Sequence, residues 1–213
     1  MQIQLQQVAP VFIEEEKIAG SQVWNTNIVF EPGEKVQVVA PSGSGKTSLI
    51  HFLYGLRKDY SGNILYGDKN INSFGAEDFA TCRRISTSIV FQDLRLFTEQ
   101  TVLQNLEIKR QLDPFHAESK IEAMAKRLGI ASKLHKLCKT CSYGEQQRIA
   151  IIRSLQQPFD FLLLDEPFSH LDDNNRSLAM ELMEEEADLR KAAIILADLK
   201  PIEYFKPDRT LNL

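Results

Sequence analysis

Hydrophobic and polar positions change period several times along the chain, and each change marks an element. Ile3-Gln4-Leu5-Gln6 alternates as a half-buried strand does, and Val36-Gln37-Val38-Val39 runs apolar after the turn signal Glu31-Pro32-Gly33-Glu34. From Lys46 the spacing becomes helical, with Leu49, Ile50, Phe52, Leu53 and Leu56 on one face up to the polar stop Arg57-Lys58-Asp59. Short strands are predicted around 63–66 and 88–91, with a short helix over 76–84 between them. Residues 102–138 read as mostly helical, and their polarity places them in an exposed subdomain rather than in the core. A further helix begins near Tyr143 and runs through Arg153. Residues 159–164 are apolar apart from Asp160 and do not alternate, as in a parallel strand buried on both faces. A helix over about 174–190 and strands at 193–197 and 209–213 complete an α/β pattern.

Composition narrows the function classes. The 213 residues suit one large domain or two small ones, and the net charge of -4 (25 basic against 29 acidic residues) argues against a general nucleic-acid binder, which needs a basic face. No apolar run approaches the ~18–20 residues that span a bilayer. The start Met-Gln-Ile-Gln-Leu-Gln-Gln lacks the basic and apolar regions of a signal peptide. Three cysteines are too few, and odd in number, for a disulfide framework. The pair Cys138 and Cys141 has no second pair or histidine beside it, so it reads as two small apolar side chains rather than a zinc or redox site. These features predict a cytoplasmic chain whose membrane role, if it has one, comes through a partner.

The sharpest chemistry lies in Ala40-Pro41-Ser42-Gly43-Ser44-Gly45-Lys46-Thr47, which matches G-x-x-x-x-G-K-[ST] except for alanine at its first position. Small residues let backbone N–H groups curl around phosphate oxygens at a helix N-terminus. Pro41, Ser42, Gly43, Ser44 and Gly45 would form that cradle. Lys46 would reach the β- and γ-phosphates, Thr47 would hold Mg2+, and Ser48 would support the α-phosphate. A plain Ser/Gly turn leaves the lysine after Gly45 unexplained. Asp165 and Glu166 end the apolar run 159–164 before Pro167, at the strand edge where open α/β sheets bind ligands. Asp165 suits support of Mg2+ and Glu166 suits activation of a water as general base.

With Ser142-Tyr143-Gly144-Glu145-Gln146-Gln147-Arg148 placed before that strand, the chain resembles the ATP-binding cassette ATPases over nearly its whole length. The resemblance implies a P-loop NTPase core with a mixed sheet, an antiparallel β-subdomain from the N-terminal third and a helical subdomain over about 93–152, all one domain over 1–213. Val90-Phe91-Gln92-Asp93 looks like the Q-loop, which gives Gln92 a catalytic contact with Mg2+ and a signal to a transmembrane permease. Ser169-His170-Leu171-Asp172 looks like the D-loop, with Asp172 at a dimer seam. Phe12 would stack on adenine, with Trp24 as the alternative. Family members pair head to tail, so Ser142 and the N–H of Gly144 would meet the γ-phosphate held by the partner. Ser142 also reads as a plain helix N-cap.

Two positions depart from the pattern. Tyr143 stands at the first signature glycine, and Ala197 stands where a histidine usually contacts the γ-phosphate. Loss of one such contact costs on the order of 2–4 kcal/mol of transition-state stabilisation. The resemblance therefore implies an ATP- and Mg2+-dependent ATPase, slowed by Ala197, that energises a separate permease as a homodimer on the inner face of the membrane. The lipoprotein-release, macrolide-export and cell-division cassettes share its look, while Asp165-Glu166-Pro167-Phe168-Ser169 is similar to nutrient importers. The alternative is a regulatory module that binds ATP and barely turns over.

Overall fold

The computed structural model describes residues 1–213, apart from the side chains of Glu15 and Lys17. Among the described residues the strands form two sheets. β1 (Ile3–Pro10), β2 (Asn27–Phe30), β4 (Tyr60–Tyr66) and the short β5 (Lys69–Asn70) make an antiparallel sheet in the order β2-β1-β4-β5. β3 (Lys35–Val39), β6 (Thr87–Val90), β7 (Phe161–Asp165), β8 (Ala193–Asp198) and β9 (Arg209–Asn212) make a sheet in the order β6-β7-β8-β3-β9. Each pairing in this second sheet is parallel, and the expected antiparallel β-subdomain from the N-terminal third stands beside it as the first sheet. Helical connections join β6 to β7 and β7 to β8 and return the chain in the same direction, which makes those neighbours parallel.

The helices are α1 (Glu15–Ile18), α2 (Lys46–Leu53), α3 (Ala76–Thr81), α4 (Val102–Arg110), α5 (Ser119–Arg127), α6 (Tyr143–Ser154) and α7 (Asp173–Arg190). α2 stops at Leu53 because Gly55 turns left-handed (φ 67°), and a Cβ there would lie 2.2 Å from the Phe79 ring. Leu56, expected on the apolar face, therefore leaves the helix. α3 is shorter than the predicted 76–84 helix because its last turn widens into a π-helix over Cys82–Ser86.

The parallel sheet separates two apolar cores. On β7, Leu162 and Leu164 face one core, and Phe161 and Leu163 face the other, which explains the unbroken apolar run. Each such side chain contributes about 1.5–3 kcal/mol by leaving water. The first core includes Val102, Leu106, Ile121, Met124 and Ile149, so the helical region forms the wall of a core rather than an exposed appendage. Its polar positions cover the outer surface, while α5 carries a narrow apolar face of Ile121, Met124 and Ala125.

A bulge in β1 sets the approach to the site. Register with β4 shifts between Gln6 and Ala9, where Gln7 is left-handed (φ 53°). Gly62 lies opposite, and a Cβ there would be 2.3 Å from the Gln7 carbonyl oxygen. Beyond the bulge Pro10 pairs with Tyr60, and the Val11 amide donates to the Asp59 carbonyl at 3.1 Å. This delivers the Phe12 turn to the edge of the phosphate loop.

Candidate active site

The phosphate loop leaves the C-terminal end of β3 and enters α2 at Lys46. Gly45 is left-handed (φ 102°), and a Cβ there would meet Ile13 Cδ1 at 3.0 Å and Trp24 Cζ2 at 3.1 Å. Trp24 is buried at 2 % exposure, and its indole N–H donates to the Ser44 carbonyl at 3.3 Å. Trp24 thus supports the loop from beneath and offers no open face to adenine, which removes it as the alternative stacking aromatic. Phe12 is 48 % exposed and lines a cleft of about 410 Å³ with Ser42, Gly43, Gly45, Lys46, Thr47, Ser48, Gln92 and Glu166. Ala40 is buried, so the methyl at the first motif position packs inside rather than into the cleft.

Lys46 is a buried cation held by its own loop. Its Nζ donates to the carbonyls of Ala40 at 2.8 Å and Pro41 at 3.1 Å and lies 3.5 Å from Glu166 Oε1. Glu166 follows β7 in a left-handed conformation (φ 45°), and its N–H donates to the Ala197 carbonyl at 2.9 Å. A non-glycine residue in this region stores strain of the kind found at functional sites. Ala197 is fully buried, pairs with Asp165 across β7 and β8, and shares its sheet face.

Asp165, Thr47 and Gln92 converge beside the loop. Thr47 Oγ1 donates to Asp165 Oδ1 at 3.2 Å and stands 3.4 Å from Gln92 Oε1. Asp165 Oδ2 is buried with no hydrogen-bond partner, and burial pushes the carboxyl up to about 6 against the Thr47 hydrogen bond. A hard divalent cation or its water shell would satisfy that oxygen, so these three groups fit Mg2+. The sign of the linkage follows: the unfolded carboxyl ionises near pH ~4, so the native state loses stability as pH rises from there to about 6. Asp165→Asn should therefore stabilise the ligand-free protein at pH 7 by about 3 kcal/mol, a gain that vanishes below pH ~4. Denaturant titrations at the two pH values check this.

Several side chains that sequence reasoning passed over hold these loops together. Arg153 on α6 donates to the Leu94 and Arg95 carbonyls at 2.7 Å each, where both residues are left-handed (φ 58° and 47°), and so fixes the segment after Gln92. Gln147 accepts from the His170 amide at 3.0 Å and donates to Ser169 Oγ at 3.3 Å. A Cβ on Gly144 would lie 2.9 Å from the His170 carbonyl oxygen, so α6 and the 169–172 turn pack without a gap. The Tyr143 ring lies 4.2 Å from the His170 ring, and its hydroxyl reaches the Gln92 carbonyl at 3.5 Å. Asp172 caps α7, accepting from the Asn175 amide at 2.9 Å. Ser142 caps α6 in a box with Glu145. Neither Ser142 nor Gly144 lines the cleft around Lys46, and the Pro41 carbonyl accepts from both Lys46 Nζ and Ser44 Oγ. Cys138 and Cys141 are buried free thiols. Among the described residues no helix is long and apolar enough to cross a membrane.

Residues 23–169 match the family model described as ABC transporter. The chain is 32% identical over 156 residues to the lipoprotein-releasing system ATP-binding protein LolD of Buchnera aphidicola, covering 71% of this chain and 67% of that protein. It is 36% identical over 151 residues to the Fe(3+) ions import ATP-binding protein FbpC of Brucella suis, covering 70% and 41%. Identity to the macrolide export ATP-binding/permease protein MacB of Nitrosomonas europaea is 32% over 167 residues, which covers 77% of this chain and only 25% of that protein. The fold superimposes on the dimeric cassette MJ0796 with a TM-score of 0.79 at 22% identity, over 93% of this chain and 88% of that one. The chain belongs to the ABC transporter family and has the fold of its ATP-binding cassettes.

Proposed function

We propose that residues 1–213 form one cassette that binds and hydrolyses ATP and energises transport through separate permease subunits. The observation that carries this reading is the meeting of Lys46, Thr47, Asp165 and Glu166 at the ends of β3 and β7. On ATP binding, Lys46 would exchange its two carbonyl partners and Glu166 for phosphate oxygens, contacts made stronger by charge. Glu166, released at the strand end, would take a proton from the attacking water. Thr47, Gln92 and Asp165 would hold Mg2+, which supplies charge neutralisation on the triphosphate. Phe12 would stack on adenine. In a head-to-tail pair, the partner's site would receive the Ser142 hydroxyl and the Gly144 N–H at the start of α6. The chain would sit at the inner face of the cytoplasmic membrane through its permease, with no nucleic-acid partner.

Ala197 supports slow turnover. A histidine at that position would emerge beside Asp165 on the same sheet face, and alanine supplies no contact there. Ala197→His should raise kcat by about 10-fold or more if one γ-phosphate contact is restored, with KM little changed. Steady-state phosphate release checks this. If wild type binds Mg-ATP, releases no phosphate above Glu166→Gln, and gains turnover only with the histidine, the regulatory module replaces the transport motor.

A further inference from the structure

We propose that Arg57 is a nucleotide-positioning residue that backs Phe12 as the platform for the base and ties that platform to the phosphate loop through Ser48. The proposal rests on the ATP-site reading above. Arg57 belongs to no phosphate-binding motif and reads from sequence as the polar end of α2. In the fold its guanidinium carbon lies 4.4 Å from the centre of the Phe12 ring and 5.8 Å from that of Phe52. Nη1 donates to Ser48 Oγ at 3.2 Å. Nε donates to Asp59 Oδ1 at 2.9 Å, and Nη2 pairs with the other carboxylate oxygen. The backbone carbonyl of Asp59 in turn accepts from the Val11 amide, one residue before Phe12.

One planar group therefore touches three parts of the site: the aromatic turn, the hydroxyl beside the phosphate cradle, and the strand edge from which the turn hangs. The two-pronged hold of Asp59 fixes the plane of the guanidinium, which a lysine could not reproduce. Phe12 lines the cleft and keeps 48 % of its surface open, so the cation takes part of the ring and leaves the rest for a ligand. An exposed phenylalanine on a turn has no packing reason to be held this way. A cation beneath one part of a ring orders it before the base arrives, which lowers the ordering cost of binding.

The test is calorimetric binding of Mg-ATP and of Mg-tripolyphosphate, which lacks the base, to wild type, Arg57→Ala, Arg57→Lys, Phe12→Ala and the Phe12→Ala/Arg57→Ala double variant. Arg57→Ala should weaken ATP by about fivefold and tripolyphosphate by less than about twofold, so the second ligand also reports that the phosphate loop is folded. Arg57→Lys should shift the same ratio in the same direction by about twofold or more. The double variant should lose no more ATP affinity than Phe12→Ala alone, because the two residues act as one platform. Equal weakening of both ligands, an unchanged ATP affinity, or additive losses in the double variant would overturn the proposal. A wild type that binds neither ligand would overturn the ATP-site reading and the proposal with it.

Discussion

Lys46→Ala is expected to weaken Mg-ATP binding by about 10²-fold or more and to abolish turnover. The lysine sits at 5 % exposure with its ammonium on the carbonyls of Ala40 and Pro41, a charge kept poised beside the cradle rather than in solvent. Each charge-assisted hydrogen bond to a phosphate oxygen contributes about 1.5–3 kcal/mol, so loss of two accounts for the predicted change. The variant also leaves Glu166 without the cation 3.5 Å away. Calorimetric titration with Mg-ATP measures the effect, and circular dichroism establishes that the fold is kept. An affinity within about twofold of wild type would place the triphosphate somewhere other than this loop.

Glu166→Gln should separate binding from chemistry. Glutamine keeps the size of the side chain and its place after β7 but cannot accept the water proton. Turnover should fall by about 10²–10⁴-fold, the usual contribution of a positioned general base. Mg-ATP affinity should stay equal or tighten, because one negative charge leaves the neighbourhood of the triphosphate. Equal loss of affinity and kcat would assign Glu166 to binding rather than catalysis. The left-handed backbone at this residue, pinned by the Ala197 carbonyl, is what aims the side chain at Lys46 rather than along the strand.

The parts of the site that could be read from sequence are those built by adjacent residues. Gly43 to Ser48 form one turn and the start of one helix, and Asp165 with Glu166 ends one strand, so spacing alone carries their chemistry. The buried strand β7 is legible from its apolar run, and α6 and α7 fall close to the expected ranges 143–153 and 174–190. Contacts between distant segments were not legible. Trp24 lies 20 residues before Ser44, Arg153 lies 58 after Arg95, and no local pattern marks either as a support of the loop it holds. The core made by α4 and α5 was hidden for a related reason: a narrow apolar stripe on a mostly polar helix lowers its average hydropathy without removing its buried face. The bulge at Gln7, which places Phe12 and indirectly Arg57, needs the opposing Gly62 to be recognised.

The measurement that bears most directly on the central claim is phosphate release from Mg-ATP by the purified wild-type chain, with Glu166→Gln as the blank. A working ATPase cassette predicts release above the blank, lost when Mg2+ is chelated. Saturating Mg-ATP binding with release no greater than Glu166→Gln would contradict it and leave a nucleotide-binding module without turnover.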